Sequence, residues 1–200
     1  MARGRKGMGS VRLLLASDIH GANDDLVAAL QGAEQAVLLG DFINIIDYND
    51  LSGILAEFVD RETIVETLQL IREKRVGEAK ARMVQAAGSV DDLPGKVGER
   101  ASECYRDLFS RLPCPCLVIH GNVDFPKQLK AHLNDRTRYI ERVHAFDAGG
   151  ARVGIVCGSP SMNFSFGMPG EVTPEEYGAR LAELGPVDHL LVHCPPALKI

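Results

Sequence analysis

The stretch "VRLLLASDIHG", residues 11–21, runs an unbroken apolar segment straight into Asp18, Ile19, His20 and Gly21. The run has the length of a strand and lacks the polar alternation of a half-exposed one, so it predicts a strand buried on both faces. Four more runs have the same form: "QAVLLG" (35–40), "PCLVIH" (115–120), "ARVGIVCGS" (151–159) and "DHLLVH" (188–193). Between the first two, "GANDDLVAALQGAEQ" (21–35) sets Leu26, Val27 and Leu30 on one helical face, with Asn23 or Asp24 to cap its start. The chain therefore opens as a β-α-β unit and belongs to the α/β class. Later, "RVHAFDAGGARVGIVCGS" (142–159) predicts an antiparallel pair of strands turning at Ala148-Gly149-Gly150, where glycines supply positive φ.

Residues 45–112 read differently, as a helical insertion with mixed charges and no strand-like run. Ile64, Val65, Leu68 and Ile71 make one apolar stripe; Val97, Ala101, Tyr105, Leu108 and Leu112 make another. A break at "AAGSVDDLPGKVG" (86–98) separates two helical stretches. Such stripes pack into a core or form a cap leaning over a site.

With 200 residues, 46% apolar and 24% charged, the chain predicts a single domain over residues 11–200, preceded by a loose N-terminus at residues 1–10. A net charge of −5 gives no support to a nucleic-acid surface, while an acidic pocket for cations would fit it. The apolar run after the basic N-terminus is too short for a signal-peptide core, and no segment nears the roughly 20 apolar residues of a membrane span. A soluble, cytoplasmic protein without membrane contact is expected. The five cysteines are odd in number and lack framework spacing, so they are read as reduced thiols packed as small hydrophobes; "CPC" at 114–116 has no second pair to make a metal site.

The chemistry stands just past the strands, where open α/β sheets gather ligands and catalytic groups. Strand ends carry Ser17-Asp18-Ile19-His20-Gly21, Gly40-Asp41-Phe42-Ile43-Asn44, His120-Gly121-Asn122-Val123-Asp124, Gly158-Ser159-Pro160 and His193-Cys194-Pro195-Pro196. Asp18 and His20, two apart, share a side if strand geometry persists through them. An oxygen–nitrogen pair of that kind suits Mn, Fe or Zn. Asp41 has two oxygens, enough to bridge two cations; Asn122 offers a carbonyl oxygen and His193 a ring nitrogen.

In this order, D-x-H, GD, GN-x-D and an apolar strand ending in histidine, the chain resembles the calcineurin-like metallophosphoesterase superfamily from Val11 to Pro196. The resemblance implies an α/β fold, a β-sandwich of two stacked mixed sheets flanked by helices, into which a long helical insertion after GD fits. It implies two divalent metal ions, with Asp18 and His20 on the first, Asp41 bridging, and Asn122 and His193 on the second. These five would be the catalytic set, hydrolysing a phosphomonoester or phosphodiester with water activated between the metals. Two cations about 3.5–4 Å apart acidify a water and neutralise phosphoryl oxygens, so positioning and positive charge suffice and no nucleophilic side chain is required. Asn44 either reaches the site to touch substrate or caps its loop.

Two departures bear on activity. Many members carry a histidine where this chain has Val123, which cannot protonate a leaving group; slow turnover, or a substrate with a good leaving group, is expected. Asp124, which in many relatives orients that histidine, is then read as a supporting or loop-capping residue. The family pattern finishes with GHxH, and none of the six histidines lies in one, so the chain is expected to be C-terminally truncated relative to that pattern. His189 stands on the face of His193 but about 13 Å away along a strand; His120 is explained by a strand-end hydrogen bond. The rival reading is a catalytically weak phosphoesterase-fold protein serving as a protein-binding module. A dinucleotide site is opposed by the absence of G-x-G-x-x-G after the first strand.

Overall fold

The computed structural model describes residues 12–47, 49–161 and 167–194. The expected loose N-terminus at 1–10, along with Pro195 and Pro196, lies outside the described residues. The first sheet is built from β1 (Leu14–Ala16), β2 (Ala36–Leu38), β3 (Cys116–Val118) and β4 (Thr137–Tyr139), side by side in that order and all parallel. The second holds β5 (Val143–Ala148), β6 (Ala151–Val156) and β9 (His189–Val192), with β5 antiparallel and β9 parallel to β6. A parallel pair, β7 (Ser159–Pro160) and β8 (Glu171–Val172), lies between β6 and β9 in sequence. Among the described residues, then, the second sheet is mixed and the first is not.

Helix α1 (Asn23–Ala29) crosses from β1 to β2, and α5 (Pro126–Ala131) from β3 to β4. After β2 come a 3-10 turn (Ile54–Glu57) and helices α2 (Arg61–Arg72), α3 (Val76–Gly88) and α4 (Leu93–Arg111); α6 (Pro174–Leu184) precedes β9. The first sheet separates two cores. Ala36, Leu38, Cys116 and Val118 face helices through Leu26, Leu30, Ala101, Leu108 and Leu112. Val37, Leu39, Leu117 and Ile119 face the second sheet through Ile155, Cys157, Phe146 and Leu191. Burial on both faces is why β2 and β3 read as continuous apolar runs.

Several expectations are corrected. β1 and β9 are edge strands and are not buried on both faces: Leu15 and Leu190 are each 46% exposed. Neither Asn23 nor Asp24 caps α1; Ala22 holds that position without a side-chain bond. Asn23 instead donates to Asp107 Oδ2 at 3.0 Å and Asp24 pairs with Arg111, tying α1 to α4. The insertion holds three helices rather than two stretches. An extra break falls at Lys74, which has φ 60°, and the expected break is shorter because Pro94 and Gly95 sit in the first turn of α4, capped by Asp92. Val65 leaves the first stripe for solvent, whereas every residue of the second stripe is buried. β4 was not anticipated because "TRY" has no apolar run. The hairpin does turn at Gly149 and Gly150, with φ 64° and 89°. All five cysteines are free, and no helix among the described residues is long and apolar enough to cross a membrane.

Candidate metal centre

Parallel strands β1, β2 and β3 end together, and the loops beyond them run in contact. The Asp18 amide donates to Gly40 O at 3.1 Å, His20 to Asp41 O at 2.8 Å, and Gly21 to Phe42 O at 2.9 Å. Asp18, His20 and Asp41 take positive φ, at 56°, 45° and 54°. That region is sparsely used by residues with a Cβ, although Asp and His tolerate it better than most, and it persists where surrounding bonds hold it. Strand geometry therefore does not continue through Asp18 and His20, contrary to expectation; left-handed turns bring their side chains together.

The result is one cluster. His20 Nε2 is 3.8 Å from Asp18 Oδ1 and 3.7 Å from Asp41 Oδ2. His193 Nε2, arriving from β9, is 3.4 Å from Asp41 Oδ2 and 2.9 Å from Asn122 Oδ1. Ligand atoms of Asp18, Asp41 and His193 all lie within 4.8 Å of one another. The side chains grade from sealed to open: His193 and Asp41 are 4% and 5% exposed, His20 and Asp18 45% and 61%. One end of the cluster is thus buried and the other faces solvent.

Each buried member is oriented by a further bond. His193 Nδ1–H donates to Leu39 O at 3.0 Å, which turns Nε2 toward the cluster. Asp41 Oδ1 accepts from the Val123 amide at 3.0 Å, and the Asp41 amide donates to Asp124 Oδ2 at 2.7 Å. The wholly buried Asp124 also accepts from the amides of Gly121 (2.8 Å) and Phe42 (3.1 Å) and from the Tyr105 hydroxyl (3.0 Å). Gly40 and Gly121 permit this approach: a Cβ on Gly40 would stand 2.1 Å from Gly121 N, and one on Gly121 2.2 Å from Asp41 Oδ1.

Burial alone would raise the Asp41 carboxyl, but the hydrogen bond and charge of His193, the Val123 amide and His20 outweigh it and hold it below its ordinary value. Burial would lower His193, yet the bond to Asp41 and the charges of Asp41, Asp18 and Asp124 hold it above its own. Burial, with the Asp41 charge, pushes the Asp124 carboxyl up to about 6 against the pull of the Gly121 and Phe42 amides and the Tyr105 hydroxyl. Two carboxylates, an amide oxygen and a ring nitrogen turned inward by its own backbone bond thus present lone pairs to a shared space. A proton on His193 satisfies part of that demand. The donor set also fits a divalent cation of borderline hardness, which would satisfy more of it.

The other anticipated residues direct their side chains to other partners or to solvent. The Asn44 amide donates to Ser52 Oγ at 3.4 Å, within its own loop. His120 is buried, its Nδ1 against the Tyr139 hydroxyl and 3.1 Å from Cys157 Sγ, and burial lowers it to about 4. His189 is exposed at the start of β9. The Val123 side chain packs on the main core while its amide orients Asp41, so this residue contributes through its backbone. Sequence reading missed Tyr105, which stood unremarked in an apolar stripe, and the Leu39 carbonyl, for which no side chain could signal. The scope of Asp124 was also missed; glycines in both GD and GN were the available hint that two loops touch.

No family model and no curated protein matches the chain. Among solved structures seventeen chains match, one of them a crystal structure with 14% identity and a TM-score of 0.47, covering 94% of this chain and 70% of the other. What the site does is therefore read from its own side chains.

Proposed function

We propose that this chain is a metal-dependent phosphoesterase of the calcineurin-like fold, hydrolysing a phosphomonoester or phosphodiester. The observation that carries the reading is the convergence of Asp18, His20, Asp41, Asn122 and His193 from four strand ends into one cluster with a sealed floor and an open mouth. Asp18 and His20 would hold one divalent ion (Mn, Fe or Zn), Asn122 and His193 a second, and Asp41 both. When bound, such ions supply Lewis acidity toward water and neutralise charge on a phosphoryl group.

The chain's own part is placement. Val123 N–H and Asp124 fix Asp41 at both its carboxylate and its amide, so the shared ligand does not rotate. Leu39 O fixes the His193 tautomer. Asp18 and His20, at the open side, are where a phosphate ester would enter. At position 123 no side chain delivers a proton to the departing oxygen, which favours substrates whose leaving group departs as an anion. The same valine favours the rival reading of a phosphoesterase fold used as a protein-binding module. Mn-dependent hydrolysis of an activated phosphodiester by the chain and by Asp41→Asn separates the two: the enzyme reading expects turnover that Asp41→Asn abolishes, and equal rates in both would remove it.

A further inference from the structure

We propose that Tyr105 is a positioning residue of the metal centre, through which helix α4 of the insertion fixes the Asp41 and Asn122 loops. The inference rests on the metal-centre reading above. Tyr105 is fully buried at the middle of a stripe otherwise made of Val97, Ala101, Leu108 and Leu112, where a phenyl ring would meet the packing demand without a hydroxyl to satisfy. Its hydroxyl is fully used: it donates to Asp124 Oδ1 at 3.0 Å and accepts from the Phe125 amide at 2.9 Å. The oxygen thus holds Asp124 from its side chain and from the peptide that follows it.

Asp124 passes that constraint on. The same Oδ1 takes the Phe42 amide, and Oδ2 takes the Asp41 and Gly121 amides, so one carboxylate clamps the loop after β2 to the loop after β3. A second contact runs parallel to the first. The Tyr105 ring stacks on Phe109, with centroids 6.2 Å apart, and Phe109 meets Phe42, the neighbour of Asp41, edge-on at 5.5 Å. Helix α4 therefore reaches the Asp41 loop twice, through Asp124 and through Phe42. Removing the hydroxyl leaves Asp124 held by its three backbone amides alone and loosens Asp41 and Asn122 relative to His193, whose ring is held by Leu39 O.

The test titrates Mn(II) into the full chain, followed by electron paramagnetic resonance, with thermal melting in chelator run alongside. Tyr105→Phe keeps the ring and is expected to melt cooperatively while binding Mn(II) about tenfold more weakly. Ile64→Val, a comparably mild core change on α2 that makes no hydrogen bond to the site, is expected to bind like the wild type. Amide exchange at Asp41 and Gly121 should quicken in metal-free Tyr105→Phe. Binding by Tyr105→Phe as tight as wild type, unchanged exchange at those amides, or an equal loss in Ile64→Val would overturn the inference and leave the metal centre standing. Failure of the wild type to bind Mn(II) in an Asp41-dependent way would instead overturn the centre, and this inference with it.

Discussion

Gly121→Ala puts one methyl group where the loops after β2 and β3 meet. Gly121 is absent from the positive-φ residues, so its backbone accepts alanine and the whole penalty is steric. The new Cβ would lie 2.2 Å from Asp41 Oδ1, 2.7 Å from Asp41 N and 2.7 Å from His193 Cε1. Ordinary contact needs about 3.5 Å, so something must move by roughly 1 Å. None of the three neighbours is free to do so: Asp41 is held by Val123 N–H and Asp124, and His193 by Leu39 O. Overpacking costs about 1–3 kcal/mol and a broken internal hydrogen bond about 1, so the metal-free protein should lose ~2–4 kcal/mol. Because the side chains displaced are the proposed ligands Asp41 and His193, Mn(II) affinity should fall as well. Urea unfolding in chelator measures the first effect and calorimetric Mn(II) titration the second. Stability within about 0.5 kcal/mol of wild type together with unchanged affinity would refute the claim that these loops lock the site.

Gly178→Ala, in the interior of α6 where a Cβ meets nothing within 4 Å, should stabilise the chain by ~0.5–1 kcal/mol in the same unfolding assay and leave Mn(II) binding alone. His20→Ala, at the open side of the cluster, should weaken Mn(II) binding while costing no more than about 1 kcal/mol of stability in chelator, the cost of alanine at a φ of 45°. The pH dependence should have opposite signs with and without metal. The folded value of His193 lies above 6.5, so its bond to Asp41 stabilises fully below 6.5 and fades as pH rises through that raised value. Melting in chelator should fall from about pH 6 to about pH 8 in the wild type and stay flatter in His193→Gln, while Mn(II) affinity rises over the same range because proton and cation compete for Nε2. Affinity that is flat or falling over that range would count against His193 as a ligand.

The α/β class was readable because β2, β3 and β6 are buried on both faces and so print apolar runs into the sequence. β4 was invisible because "TRY" at 137–139 sits at a sheet edge, where burial no longer selects apolar residues. The same edge logic explains Leu15 and Leu190, apolar yet half-exposed: strand-like composition says a residue pairs in a sheet and does not say what covers its face. At the site, residue type and strand-end position offered Asp18, His20, Asp41, Asn122 and His193 only as weak candidates one by one, and it was the order of the motifs, through the resemblance it carries, that set them apart as a group. How they meet was beyond pattern, since positive φ at Asp18 and His20 goes with amide bonds to Gly40 O and Asp41 O, and at Asp41 with an amide bond to Asp124 Oδ2. The clamp at Asp124 was beyond it too, because three of its four donors are backbone amides and carry no side-chain signature.

These five side chains are proposed to bind a divalent cation. The most direct measurement is Mn(II) binding to the full chain and to Asp41→Asn, by electron paramagnetic resonance at fixed pH with both proteins shown to be folded. Saturable binding by the wild type is expected, with a loss of at least about tenfold in the variant, whose amide nitrogen or lone carbonyl oxygen cannot serve as a shared ligand. Equal binding by the two proteins, or none by the wild type, would contradict the proposal.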